Sequence, residues 1–182
     1  MTVTIDGTTG VSLVQDGVVT AADLASGAIT ASALPAGSVL QVVNATYATE
    51  SSTTSTSFGD LGLSASITPS STSSKILIIV CLNGVNAYGD AGNGCRIKMV
   101  RDIGGITTTP TTISDIAGYN GTTTNQNISV ATTDLDDPSS TSAVTYKIQF
   151  AARISGSTCY INQYGSNANF TESKMTLMEI AG

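Results

Sequence analysis

The chain has 182 residues, of which 41% are hydrophobic, 11% charged and 5% aromatic, with no Trp, no His and a net charge of −6. That length suits one ordinary domain plus a short appendage, and so apolar a chain with so few charges is not a solvated disordered one. An acidic balance without a basic stripe excludes phosphate-neutralising nucleic-acid binding, and the lack of His excludes Ser-His-Asp and Cys-His nucleophile systems.

The opening Met1-Thr2-Val3-Thr4-Ile5-Asp6 has neither the basic start nor the apolar run of a signal peptide. No segment approaches the ~18 consecutive apolar residues of a membrane span. The expectation is a protein made and assembled in a cytoplasm.

A ten-residue unit then occurs twice in tandem. Residues 16–25, Asp-Gly-Val-Val-Thr-Ala-Ala-Asp-Leu-Ala, are followed directly by residues 26–35, Ser-Gly-Ala-Ile-Thr-Ala-Ser-Ala-Leu-Pro. Gly, Thr, Ala and Leu hold the second, fifth, sixth and ninth places. Thr20 and Thr30 are placed to cap a helical turn through their hydroxyls, and Gly27 suits its left-handed end. Each unit reads as a short extended piece, one helical turn and a reversal, too short to bury its own apolar side. Residues 1–37 therefore read as a stem that needs partners, with Val18, Val19, Leu24, Ile29 and Leu34 as its contacts.

From residue 38 to 182 the pattern is all-β. Strands are expected at 39–48, 61–67, 76–82, 95–101, 111–116, 126–132, 144–154, 158–164 and 174–180. The clearest is Val144 to Ile154, whose Val144, Tyr146, Ile148, Phe150 and Ala152 alternate with polar residues, as in a strand covered on one side. Ile76 to Leu82 is continuously apolar and suits a central strand. Asn83-Gly84, Asn93-Gly94, Gly104-Gly105, Asn120-Gly121 and Asp137-Pro138 are turn signals. Many short strands without a long amphipathic helix predict an antiparallel, jelly-roll-like β-sandwich on a short repetitive stem.

Chemistry-bearing clusters are sparse. Cys81, Cys95 and Cys159 lack metal-ligand spacing and read as small hydrophobes. Asp134, Asp136 and Asp137 are compatible with a hard cation but read as a solvated loop, so neither metal nor cofactor is expected.

Gly37 to Val43, Ile67 to Leu77 and the terminal Leu177-Met178-Glu179-Ile180 resemble a β-module of tail-fibre and other virion proteins of tailed phages. Ile5 to Val11 and the decapeptides resemble the stems that precede such modules. The resemblance implies a homotrimeric bacteriophage fibre, spike or head decoration, located in the virion and attached to other virion proteins through its N-terminal segment.

Two functions are weighed. One is a non-enzymatic short tail fibre or spike whose sandwich adheres to a host-surface glycan or protein; the alternative is a capsid head fibre or decoration protein that stabilises the shell. A host-encoded carbohydrate-binding module is the third. If nine strands alternate in direction, connections 49–57, 83–94, 117–125 and 155–157 lie at the end away from the stem. Connections 68–74, 102–110, 133–143 and 165–173 then face it. Loops on a rigid frame are where recognition varies, so Asn86, Tyr88, Asp90, Asn93, Tyr119 and Asn120 are the candidate receptor contacts. Replacing Leu24 and Leu34 with Asp should abolish trimers or virion attachment and leave the sandwich folded, read by sedimentation and by incorporation into particles.

Overall fold

The computed structural model describes residues 29–30, 33–89, 92–117 (backbone alone over 110–117), 127–163 and 171–182. The chain divides into two compact units, Met1–Pro35 and Ala36–Gly182. In the first, the Ala33 N–H donates to the carbonyl of Thr30, the threonine of the second repeat, at 2.9 Å. Ile29 and Leu34 are exposed there. Val18, Val19 and Leu24 lie outside the described residues.

The second unit contains ten strands among the described residues: β1 Val39–Tyr47, β2 Ser51–Thr53, β3 Gly59–Ile67, β4 Lys75–Tyr88, β5 Cys95–Ile103, β6 Ile106–Ala117, β7 Ile128–Asp136, β8 Val144–Ala152, β9 Thr158–Ile161 and β10 Ser173–Ile180. All pairings are antiparallel. One sheet runs β3-β8-β5-β6; the other runs β1-β10-β4-β9-β2, with β7 also on β4.

The six strands of the second sheet occupy four rows. β10 pairs with residues 75–81 of β4, and β9 with residues 86–88. The Asn83 N–H reaches Ser173 Oγ at 3.1 Å, while the Asn83 carbonyl accepts from the Asn162 N–H at 2.9 Å. In an extended strand one residue's N–H and C=O point to the same side. Hence β9 and β10 line one edge of β4 end to end, and β7 takes the other. β1 and β2 continue one another in the same way, alongside β10 and β9. Eight rows in chain order give sheets 1-8-3-6 and 2-7-4-5, the two-sheet, eight-strand plan of a jelly roll.

Alternation builds the core. Leu61, Leu63, Ala65 and Ile67 of β3 point inward between outward Gly62, Ser64 and Ser66, and Val144, Tyr146, Ile148 and Phe150 of β8 meet them. Ile76 to Leu82 is central, as expected, yet only Ile76, Ile78, Val80 and Leu82 enter the core. Leu77, Ile79 and Cys81 of the same run face outward.

Four expectations are corrected. Asn83-Gly84 is not a turn: β4 continues to Tyr88, and Gly84 at φ 58 forms a bulge between Leu82 and Val85. The expected alternation of strand direction fails between β9 and β10, which run in the same direction along β4. Cys95 on β5 and Cys159 on β9 form a disulfide between the two sheets, with Cys81 the free thiol. Asp134 and Asp136 belong to β7, not to a loop. Arg101 Nη1 lies 2.8 Å from both Asp136 oxygens, and the Tyr146 hydroxyl donates to Asp136 Oδ2 at 2.6 Å. Burial, followed by this hydrogen bond, raises the Tyr146 pKa. The trio ties β5 and β8 of one sheet to β7 of the other.

The base of the sandwich is clamped by Glu179 of β10, which is 1% exposed. Gln41 Nε2 donates to it at 2.6 Å, and Ser70 donates through its N–H at 2.6 Å and its hydroxyl at 2.7 Å. Burial alone pushes this carboxyl up, but the hydrogen bonds from Gln41 and Ser70 outweigh it and leave the pKa lowered. A carboxylate with a lowered folded-state pKa stabilises fully above its ordinary range, and that contribution is lost as pH falls through the lowered value. Glu179→Gln should cost about 1–2 kcal/mol at pH 7 and progressively less below about pH 4. Urea unfolding across this pH range checks it.

Candidate functional site

The end of the sandwich away from Val39 and Ile180 owes its shape to a buried polar knot. Asn162 has φ 60, a left-handed backbone that Asn tolerates better than most residues. Its Nδ2 donates to the Tyr47 carbonyl at 2.7 Å and the Thr49 carbonyl at 3.1 Å, and its Oδ1 accepts from Ser173 Oγ at 2.6 Å. Asn83 extends the knot, donating to the Glu172 carbonyl at 2.6 Å and accepting from Ser129 Oγ at 2.7 Å. A Cβ on Gly84 would collide with the backbone of Gln163, so only glycine lets that segment cross β4 so closely.

Because the carbonyls of Tyr47 and Thr49 are held by Asn162, the first row breaks into β1 and β2. The break opens a cleft of about 540 Å³ lined by Tyr47, Ser51, Ser52, Thr53, Ser55, Ser57, Phe58, Gly59, Asp60, Leu61 and Phe150. Tyr47 lies across Gly62 of β3, where φ is 101 and a Cβ would approach its ring to 2.8 Å. The Tyr47 hydroxyl is 2.8 Å from Ser51 Oγ. Short serine and threonine turns stiffen the β2–β3 connection: the Ser55 N–H donates to Thr53 Oγ1 at 3.1 Å, the Ser57 N–H to Ser55 Oγ at 3.0 Å. Ala152 of β8 donates to the Ser55 carbonyl at 2.7 Å, fixing the turn to the sheet.

On the sheet side, Gln149 Nε2 holds Asp60 Oδ1 at 2.7 Å. Arg96 and Lys98 of β5 approach the Phe58 ring, at 4.7 and 4.6 Å from its centroid. The cleft thus combines aromatic surface, hydroxyls, a carboxylate and nearby cations. Such a set offers hydrogen-bond donors and acceptors beside an aromatic face. Among the described residues of the lining, Asp60 is the one carboxylate.

The sequence candidates are scattered relative to it. Asn86 is fully buried on β4, donating to Gln163 Oε1 at 3.0 Å and accepting from the Ala87 N–H at 2.8 Å. Asn93 is 2% exposed and donates to the Ala87 carbonyl at 3.3 Å. Neither side chain is presented to a partner, which corrects their assignment as receptor contacts. Tyr88 is half-buried and edge-on to Tyr160, with centroids 5.0 Å apart. Burial, then Tyr160, raises its hydroxyl pKa. Asp90, Tyr119 and Asn120 lie outside the described residues. The sequence reading missed Phe58, Asp60, Arg96, Lys98 and Gln149. One signal was present: Arg96 and Lys98 alternate on the polar face of a strand, and Phe58 is one of three phenylalanines in the chain.

No protein-family model matches the sequence, and no curated protein matches it. Among solved structures, the chain is similar to one in the structure of infectious bursal disease virus, Gx strain, at 14% sequence identity and a TM-score of 0.36. The match covers 80% of this chain and 39% of that one, so this chain spans about two fifths of the viral chain's length.

The knot itself is testable. Asn162→Ala should lower stability by about 2–3 kcal/mol, since it removes two hydrogen bonds to half-buried chain and one to buried Ser173 and strains the left-handed backbone. Asn162→Gly, which relieves the strain alone, should recover about 1 kcal/mol of that; urea midpoints of the two variants separate the terms.

Proposed function

We propose that the chain is a non-enzymatic structural protein of a tailed-phage virion, a short trimeric fibre or spike whose sandwich adheres to host-surface glycan. One observation carries the reading. Both ends of the sandwich lie together at the base, where Gly37 donates to the Ala181 carbonyl at 2.7 Å and Ala181 to the Ser38 carbonyl at 2.8 Å, while the Phe58–Asp60 cleft opens at the other end. An element held at one end and presenting a polar-aromatic cleft at the other is built for end-on contact. The repeats of the stem supply the attachment, and several weak identical sites per particle raise avidity without a strong single contact. An intersheet disulfide suits a protein that works outside the cell, as on a particle surface.

Purified protein should compete with particles for host adsorption, and Phe58→Ala with Asp60→Ala should weaken that competition by about tenfold or more. Particles stripped of the protein that still adsorb normally would defeat the adhesion reading. Labelling on the shell instead of the tail would assign the chain to capsid decoration.

A further inference from the structure

The outward face of the second sheet carries an apolar row that crosses all four of its strand rows. Val42 pairs with Met178, Met178 with Leu77, and Leu77 with Leu135. Side chains directly opposite on one face lie within about 5.5 Å of one another, so the four form a continuous band. Val42 is 56% exposed and Leu135 53%, and Ile79, at 37%, extends the band into the next row between Thr176 and Thr133. Leu77 and Ile79 are the outward half of the continuously apolar run in β4. A strand covered on one side has no need of them.

We propose that this face is a self-association surface, occupied by a second copy of the chain. Three features point to that occupant. The protein is acidic, yet no carboxylate stands at an outward position of these rows from 42 to 46, 75 to 81, 129 to 135 or 174 to 180. Two copies with net charge −6 therefore approach each other with least repulsion through this face. Its charged positions are Lys75 and Lys174, in rows on either side of the band, and Lys174 is paired with Glu172 at 3.0 Å. An uncharged centre with charge at the margin is the pattern of a protein interface. Four rows at ~4.8 Å and seven residues at ~3.4 Å also give a face of ~450 Å² in projection. With its side chains this is on the scale of the ~800 Å² of accessible surface that one partner contributes to a standard interface. The surface is distinct from the stem contacts expected at Leu24 and Leu34.

Cys81 provides a native reporter. It is a free thiol on the same face, two residues from Ile79 and opposite Lys174 and Ala131. In the full chain, sedimentation should show a larger species for wild type than for the double variant Val42→Asp/Leu135→Asp, whose stem is unchanged, and iodoacetamide should alkylate Cys81 at least ~10-fold more slowly in wild type than in that variant. Both substituted residues are more than half exposed, so the variant keeps its fold, verified by an unchanged melting temperature at low protein concentration. A wild type that sediments no larger than the variant at high concentration, or a Cys81 rate equal in the two, overturns the proposal. Neither readout depends on host adsorption, so this test and that of the adhesion reading succeed or fail separately.

Discussion

The grip of Asn162 on the carbonyls of Tyr47 and Thr49 is the constraint from which the shape of the sandwich's far end follows. Without it, the first and last rows of one sheet would run as unbroken neighbours from base to tip. With it, β1 yields to β2 at the level where β9 yields to β10, and both interruptions are sealed by one buried amide. The cost of a left-handed non-glycine residue is offset by three hydrogen bonds from the buried Asn162 amide. Tyr47 is thereby released to lie over Gly62, and the hydroxyls of the β2–β3 connection are left lining a cleft.

The same logic of buried polar anchors recurs at the other levels of the sandwich. Glu179 holds the β3–β4 connection to β1 and β10 at the base, and Asp136 joins Arg101 to Tyr146 between the sheets. Near the far end, Cys95 and Cys159 bridge the sheets across a sequence separation of 64 residues. In a chain-entropy view, closing a loop that long adds about 4 kcal/mol. These links fix the relative position of two sheets whose core is mostly aliphatic side chains.

What the sequence disclosed was local. The alternation in β8 is written in neighbouring residues and identified the inward set of that strand, while the many short strands between turn signals identified the sandwich. Asn83-Gly84 misled because a glycine with positive φ serves a bulge as well as it serves a turn, and only the distant Gln163 backbone distinguishes them. Asn86 and Asn93 looked like surface amides because Asn is usually exposed; each is buried because its amide satisfies another group in the interior. The disulfide and the cleft are assembled from segments far apart in the chain. No spacing rule reaches them. Leu77 and Ile79 were legible as strand residues, but their outward direction was not, since a run of apolar residues conceals its own alternation.

Taken together, these features describe a sandwich entered from its base, with a polar-aromatic cleft at its far end, which we propose is adhesive, and a flank without carboxylates, which we propose takes a second copy. The most direct test of that arrangement is its orientation on the particle. Electron-dense labels attached separately at Ser57, in the β2–β3 connection, and at Gly182 should be imaged on intact virions. The account predicts the Ser57 label outermost and the Gly182 label toward the particle body. Labels in the reverse order, or at equal distance from the particle, would contradict it.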